Sequence, residues 1–211
     1  MKRFFRVAAL AATPLLLALS PLAAELPAAA STIDVPAAAP VRWEIDAAHS
    51  EVGFRIRHLV SRVRGNFTDW SGTITADPQN LSNGSVEVTI RTASINTNQQ
   101  RRDEHLRSAD FFDAENHPTI TFKSSRVEAK GKDIKVYGNL TMRGVTRPVV
   151  LEGSMLEVGG VPGKRRIGFE AGTKVNRLDY GVSWNRAAEG GGAVLGDEVE
   201  INIAIEAVEK A

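Results

Sequence analysis

Four histidines, at positions 49, 58, 105 and 117, are the residues of this 211-residue chain best suited to metal ligation or proton transfer. The chain has no cysteine, which excludes thiol catalysis, cysteine-held iron–sulfur clusters and disulfide staples. No two of the histidines stand at the short spacing of helical or hairpin metal sites. His49 precedes a strand segment, His58 ends it, His105 falls in a polar helical stretch and His117 stands before Pro118. Such positions suit turn hydrogen bonds, and no metal or cofactor is expected. His58 differs, because it shares an alternating face with Val52, Phe54 and Ile56. Asp103 and Asp179 are isolated acids whose plainer roles are helix capping and turn formation. The signatures His-Glu-x-x-His, Gly-x-Ser-x-Gly and Ser-x-x-Lys are absent. Gly163-Lys164-Arg165 lacks the Ser or Thr of a phosphate-cradling loop and reads as an exposed hairpin, and Gly190-Gly191-Gly192 as a turn. No catalytic residue is assigned.

Period-two alternation runs through the chain from Val41 onward, as half-buried antiparallel strands require. It is cleanest at Ser50–His58, Ser85–Thr92, Asp133–Met142 and Glu198–Glu206. Thr119–Ser125, Val41–Ile45, Gly72–Ala76, Val149–Leu156, Arg166–Val175 and Leu178–Trp184 bring the count to about ten strands. A single sheet of that length must curl, into a sandwich or an up-and-down barrel. Strands of about ten residues favour the barrel. Alternation alone does not say which face meets water, but aromatics at 6% are too few for the girdles of an outer-membrane barrel. The chain also ends Val208-Glu209-Lys210-Ala211, without the usual closing aromatic. The fold class is therefore all-β, an antiparallel barrel. One helix is expected, over Asn98–Asp110, with Thr97 and Gln100 spaced as a capping box. It is too polar for a core, and Leu106, Phe111 and Phe112 suit it to a lid or lip at one end.

Residues 1–24 are of another kind. A basic start at Lys2, Arg3 and Arg6, an apolar stretch from Val7 to Leu19 and a small-residue exit predict a secretory signal peptide, with prolines at 14 and 21 against a membrane span. Cleavage fits after Ala24 or after Ala30, and residues 25–40 read as an Ala/Pro-rich linker. Losing the three leader cations takes the formal charge from +1 to −2, so the body is no nucleic-acid binder by charge. The mature domain, 41–208, is expected in the periplasm or secreted, and not spanning the membrane.

Several ordered blocks resemble a known family. They are Trp43 to Asp46 with His49-Ser50, Val52, Phe54 and His58; Gly65 to Phe67 with Gly72; and Asp103 to Asp113 with His117-Pro118 and Phe122. Gly138-Asn139-Leu140 with Arg143 to Thr146, and Asn176 to Gly181 with Trp184, complete the set. Together they resemble the YceI-like family of bacterial extracytoplasmic proteins across nearly the whole mature domain. His117 departs mildly, since members often carry another aromatic before that proline.

The resemblance implies a lipocalin-like barrel whose elongated apolar cavity holds a polyisoprenoid or similar long-chain amphiphile, and it makes a homodimer plausible. Under that implication the lipid-facing candidates are Phe54, Ile56, His58, Val88 and Ile90 with Phe122, Val136, Leu140, Phe169, Ile201 and Ile203. Leu106, Phe111 and Phe112 stand near the lid, and Arg62, Arg64 and His105 join His58 as candidates for the polar head. The residues themselves leave other readings open: a barrel filled by its own side chains and working through its outer surface, or an enzyme acting on an isoprenoid or quinone through His58 with Asp103 or Asp179.

Overall fold

The computed structural model describes residues 40–189 and 191–210. The expected leader, its cleavage positions, most of the linker, Gly190 and Ala211 lie outside the described residues. The strands are β1 (Val41–Ile45), β2 (Glu51–His58), β3 (Ser61–Phe67), β4 (Trp70–Asp77), β5 (Asn80–Arg91) and β6 (Ile95–Asn96). After the helix α1 (Gln100–Arg107) come β7 (Thr119–Lys130), β8 (Asp133–Met142), β9 (Val145–Gly159), β10 (Arg166–Asn176) and β11 (Leu195–Lys210).

Eight of these strands close an antiparallel ring in the order β1, β4, β5, β7, β8, β9, β10, β11 and back to β1. The closing strand does double duty. Ala207 to Lys210 of β11 pair with β1, whereas Leu195 to Ala204 pair with β2. Between β1 and β2 the chain breaks pairing in a short 3₁₀ turn, Ala47–His49, capped by the Asp46 carboxylate, which accepts from the backbone N–H of Ala48 at 3.2 Å. β2 then pairs with β3, and β3 with β6. The barrel is thus a continuous ring at the end where β1 lies, while at the other end a β2–β3–β6 flap extends the wall.

Alternation sets which side chains turn inward. In β8 the residues Ile134, Val136, Gly138, Leu140 and Met142 are buried, in step with a period of two. Across the ladder, Phe122 opposes Leu140 and Val136 opposes Leu151, so one face is apolar from strand to strand. At the β1 end, fully buried Trp43, Ile167 and Ala207 form a floor, and the Trp43 indole N–H donates to the Ala76 carbonyl at 3.1 Å. The buried indole N–H therefore has its partner.

Three sequence expectations need correction. Leu178–Trp184 is not a strand: Arg177–Tyr180 form a 3₁₀ turn and the following residues make no ladder. Its apolar alternation instead buries Tyr180 and Val182 against the barrel end. The helix is shorter than Asn98–Asp110, running Gln100–Arg107. Its cap is Gln99, whose side chain accepts from the Arg102 N–H, rather than Thr97. Finally, β3 and β6 complete the wall where no strand was expected.

Candidate binding cavity

The inward faces enclose one cavity of about 1680 Å³, running from the floor to the opposite end of the barrel. Its wall is aliphatic and aromatic for most of its length, with Ile74, Val86, Val88, Ile90, Ile120, Phe122, Ile134, Val136, Leu140, Val149, Leu151, Phe169, Ile201 and Ile203 among its residues. Polar groups gather where β2 turns into β3, along Thr97 to His105, and at Trp184 to Leu195. That end is the mouth. The interior is not filled by its own side chains.

Two glycines keep the lumen wide. Gly65 on β3 and Gly138 on β8 face inward, and the rings of Phe54 and Phe122 lie over them. A β-carbon at either position would stand 2.5 Å from the ring's Cζ. The rings therefore lie along the wall instead of crossing the lumen.

Beyond the β2–β3 hairpin, much of the mouth is chain outside the ladders, and arginines satisfy carbonyls there. Arg177, buried, donates through Nε to Gly196 O (2.9 Å) and through Nη1 to Val182 O (2.6 Å) and Trp184 O (2.8 Å), with Asp197 3.5 Å from Nη2. Burial pushes its guanidinium below the ordinary arginine range, against the opposing pull of Asp197. Arg143 donates to the carbonyls of Phe111 (2.7 Å), Gly181 (2.9 Å) and Ala109 (2.9 Å). Arg107 holds Ala93 O at 2.7 Å and Ile95 O at 3.0 Å. Asp103, buried on α1, accepts from the Thr97 N–H (2.9 Å) and hydroxyl (2.5 Å), tying the helix to β6. Arg102 completes that knot with Nε to Thr97 Oγ1 (2.6 Å) and Nη2 to Thr97 O (2.8 Å).

Every lipid-facing and head-group candidate from the sequence borders this cavity: Phe54, Ile56, His58, Val88, Ile90, Leu106, Phe111, Phe112, Phe122, Val136, Leu140, Phe169, Ile201, Ile203, Arg62, Arg64 and His105; Asp103, Asp179, His49 and His117 do not. Two of the candidates, Arg62 and Arg64, lie on the outer face of the ladder. Arg62 and Arg64 stand opposite Arg57 and Arg55 in the β2–β3 ladder, while the inward positions there are Phe54, Ile56 and His58 against Gly65, Val63 and Ser61. Directly opposed residues share a face, so the two arginines point outward. Arg62 accordingly reaches Glu200 at 3.7 Å on the outer surface.

His105 sits at the mouth with Nε2 2.8 Å from Asp110, its ring edge-on to Phe111 and Trp184 at 5.0 Å. His49 pairs with Asp46 at 2.9 Å near the closed end, and His117 stands 3.8 Å from Asp113. Among the described residues no hydrogen bond or ion pair joins His58 to Asp103 or Asp179, the pairings an acid/base reading needs. Among the described residues one three-residue cluster, Asp46, His49 and Glu206, could hold an ion. Arg166 already occupies it, its Nη1 bonding both carboxylates. Arg101, Arg186, Gln99 and Trp184 also border the mouth and were not singled out from the sequence. Only Trp184, within a resembling block, carried a signal that could have found it.

Comparison with known proteins agrees with this architecture. Residues 43–207 match the YceI-like domain. Protein YceI of Salmonella arizonae is 39% identical over 175 residues, covering 82% of this chain and 88% of the relative. The crystal structure of the Campylobacter jejuni YCEI protein superposes with a TM-score of 0.64 at 38% identity, covering 79% of this chain and 96% of that one. A polyisoprenoid binding domain from Saccharophagus degradans, implicated in plant cell wall breakdown, shares the fold at a TM-score of 0.61 and 17% identity, over 80% of this chain and 99% of its own. With the barrel, its cavity and the matched span in agreement, this chain belongs to the YceI-like family.

Proposed function

We propose that the protein is an extracytoplasmic carrier or scavenger that holds the chain of a polyisoprenoid or similar long amphiphile inside the barrel and performs no covalent chemistry of its own. The observation that carries this reading is the cavity. Pockets for drug-sized ligands occupy about 300–1,000 Å³; this one is about 1680 Å³, apolar for most of its length, with its charged lining gathered at the mouth. Each CH₂ moved from water into such a wall contributes about 0.8 kcal/mol, so a long hydrocarbon is the ligand class that gains most. An unfunctionalised aliphatic lining offers few hydrogen bonds deep inside, which selects for length over chemical detail. The shared fold of the Saccharophagus degradans domain is consistent with this choice. The signal-like leader read from the sequence supports a site of action outside the cytoplasmic membrane.

The test is uptake of a radiolabelled long-chain polyprenol by delipidated protein. Binding is expected to saturate near one lipid per barrel, and Val136→Trp, which puts an indole into the lumen from the middle of β8, is expected to abolish it while the barrel stays folded by circular dichroism. No saturable uptake by the unsubstituted protein would overturn the proposal.

A further inference from the structure

At the mouth, the β2–β3 hairpin turns through two residues, Leu59 and Val60, between the paired His58 and Ser61. A tight hairpin turn ordinarily takes Asn, Asp or Gly, because positive φ costs little there. Here Leu59 is held at φ 50° and is 45% exposed, and Val60 is wholly exposed at 104%. Neither side chain borders the cavity. The tip is pinned, with the Leu59 N–H donating to Val194 O at 2.8 Å. Folding gains nothing from two aliphatic side chains in water at a position where the backbone disfavours one of them, and such conflicts between local preference and structure mark functional positions.

The outer face behind the tip is basic. Arg55, Arg57, Arg62 and Arg64 stand as two directly opposed like-charged pairs. Their one acidic partner among the described residues is Glu200, bonded by Arg55 and 3.7 Å from Arg62. Around the cavity itself Glu104 is the single carboxylate, against six arginines including Arg101 and Arg186 at the mouth. An apolar tip on a cationic collar is the combination that inserts into and adheres to an anionic lipid interface.

We propose that the β2–β3 hairpin docks the protein on an anionic bilayer, with Leu59 and Val60 entering the interface, the arginines against the head groups, and the mouth turned to the membrane. The inference rests on the reading of the cavity as a lipid site only for its purpose, since docking is measurable whether or not a lipid is bound. Docking would let a chain pass between bilayer and barrel with little of its length crossing water.

Co-sedimentation of the purified protein with vesicles of equal parts phosphatidylcholine and phosphatidylglycerol, and with phosphatidylcholine alone, tests it. Binding is expected to the anionic vesicles, to weaken with added salt, and to be much weaker on the neutral ones. Val60→Ser should weaken it about tenfold, the equivalent of leaving one valine out of an apolar phase, and Arg57→Gln about fivefold, as for one basic residue at an anionic surface. Leu59→Asn should weaken docking while holding or raising Tm. Val161→Ser, which removes an exposed aliphatic at the far end of the barrel, should change nothing. Equal binding to both vesicles, binding to neither, or tip variants that bind as the parent would overturn the proposal. So would a dimer that Val60→Ser dissociates without any vesicle binding, which would assign the tip to self-association. Extracting the same samples for lipid separates the two readings: a barrel that keeps its lipid but never docks sinks only this one.

Discussion

The ring of Phe54 lies over Gly65, its partner across the β2–β3 ladder, so closely that a β-carbon on Gly65 would stand 2.5 Å from Phe54 Cζ and 2.9 Å from the carbonyl oxygen of Asn96. Gly65→Ala must therefore either turn Phe54 into the lumen or push β3 from β6. The expected result is a loss of about 1–3 kcal/mol in urea unfolding, typical of overpacking, together with lower lipid capacity. Gly138→Ala should act in the same way through Phe122. If both variants retain parental stability and capacity, the glycines do not shape the channel.

Arg177 ties the stretch from Val182 to Trp184, which no sheet holds, to Gly196 at the start of β11. Arg177→Met keeps the volume but leaves the carbonyls of Val182, Trp184 and Gly196 without their donor. Unpaired buried acceptors cost about 1–3 kcal/mol each where water cannot reach them. A total loss of about 3 kcal/mol is expected, with hydrogen exchange accelerated across 182–196 and unchanged in β8. Uniform acceleration would mean that the arginine supports the whole barrel and not the mouth.

Much of this architecture was legible as alternation. β8 ran where its periodicity placed it, Asp133–Met142, because every inward position but one carries a large aliphatic residue. β3 was hidden for the converse reason: its inward positions hold Ser61, Val63, Gly65 and Phe67, so half of the expected apolar signal is missing. The same strand held the information that would have turned Arg62 and Arg64 outward, since Val63 between them takes the inward place. Leu178–Trp184 alternates without being a strand because Tyr180 and Val182 pack down onto the barrel end, and periodicity does not reveal whether a ladder partner exists. Apart from β3 and β6, the wall of the cavity was readable strand by strand. The mouth was not, because its geometry comes from arginine bonds to distant carbonyls, which leave no local pattern.

Acid should loosen the closed end of the barrel. Hydrogen bonds from the Arg165 side chain, with further bonds from the backbone N–H groups of Arg165 and Gly163, hold the Glu209 carboxyl at about 2. Asp46 is lowered by His49 and Arg166, and Glu44 by Lys210. A folded-state pKa below that of the unfolded chain gives stability that is complete above the unfolded carboxylate pKa, near 4.3 for glutamate, and is lost as pH falls toward the folded value. The urea midpoint is expected to fall between about pH 5 and pH 2. In Glu209→Gln the midpoint should start lower at neutral pH and fall less steeply. Parallel curves for parent and variant would remove Glu209 from the account.

Whether the barrel carries a long-chain lipid is decided by native mass spectrometry of the protein purified from its own host without detergent. The expected result is a complex heavier than the polypeptide by one lipid, with an organic extract containing a polyisoprenoid or comparable long amphiphile. A mass equal to the polypeptide alone, with an extract free of any hydrophobic molecule, would contradict it.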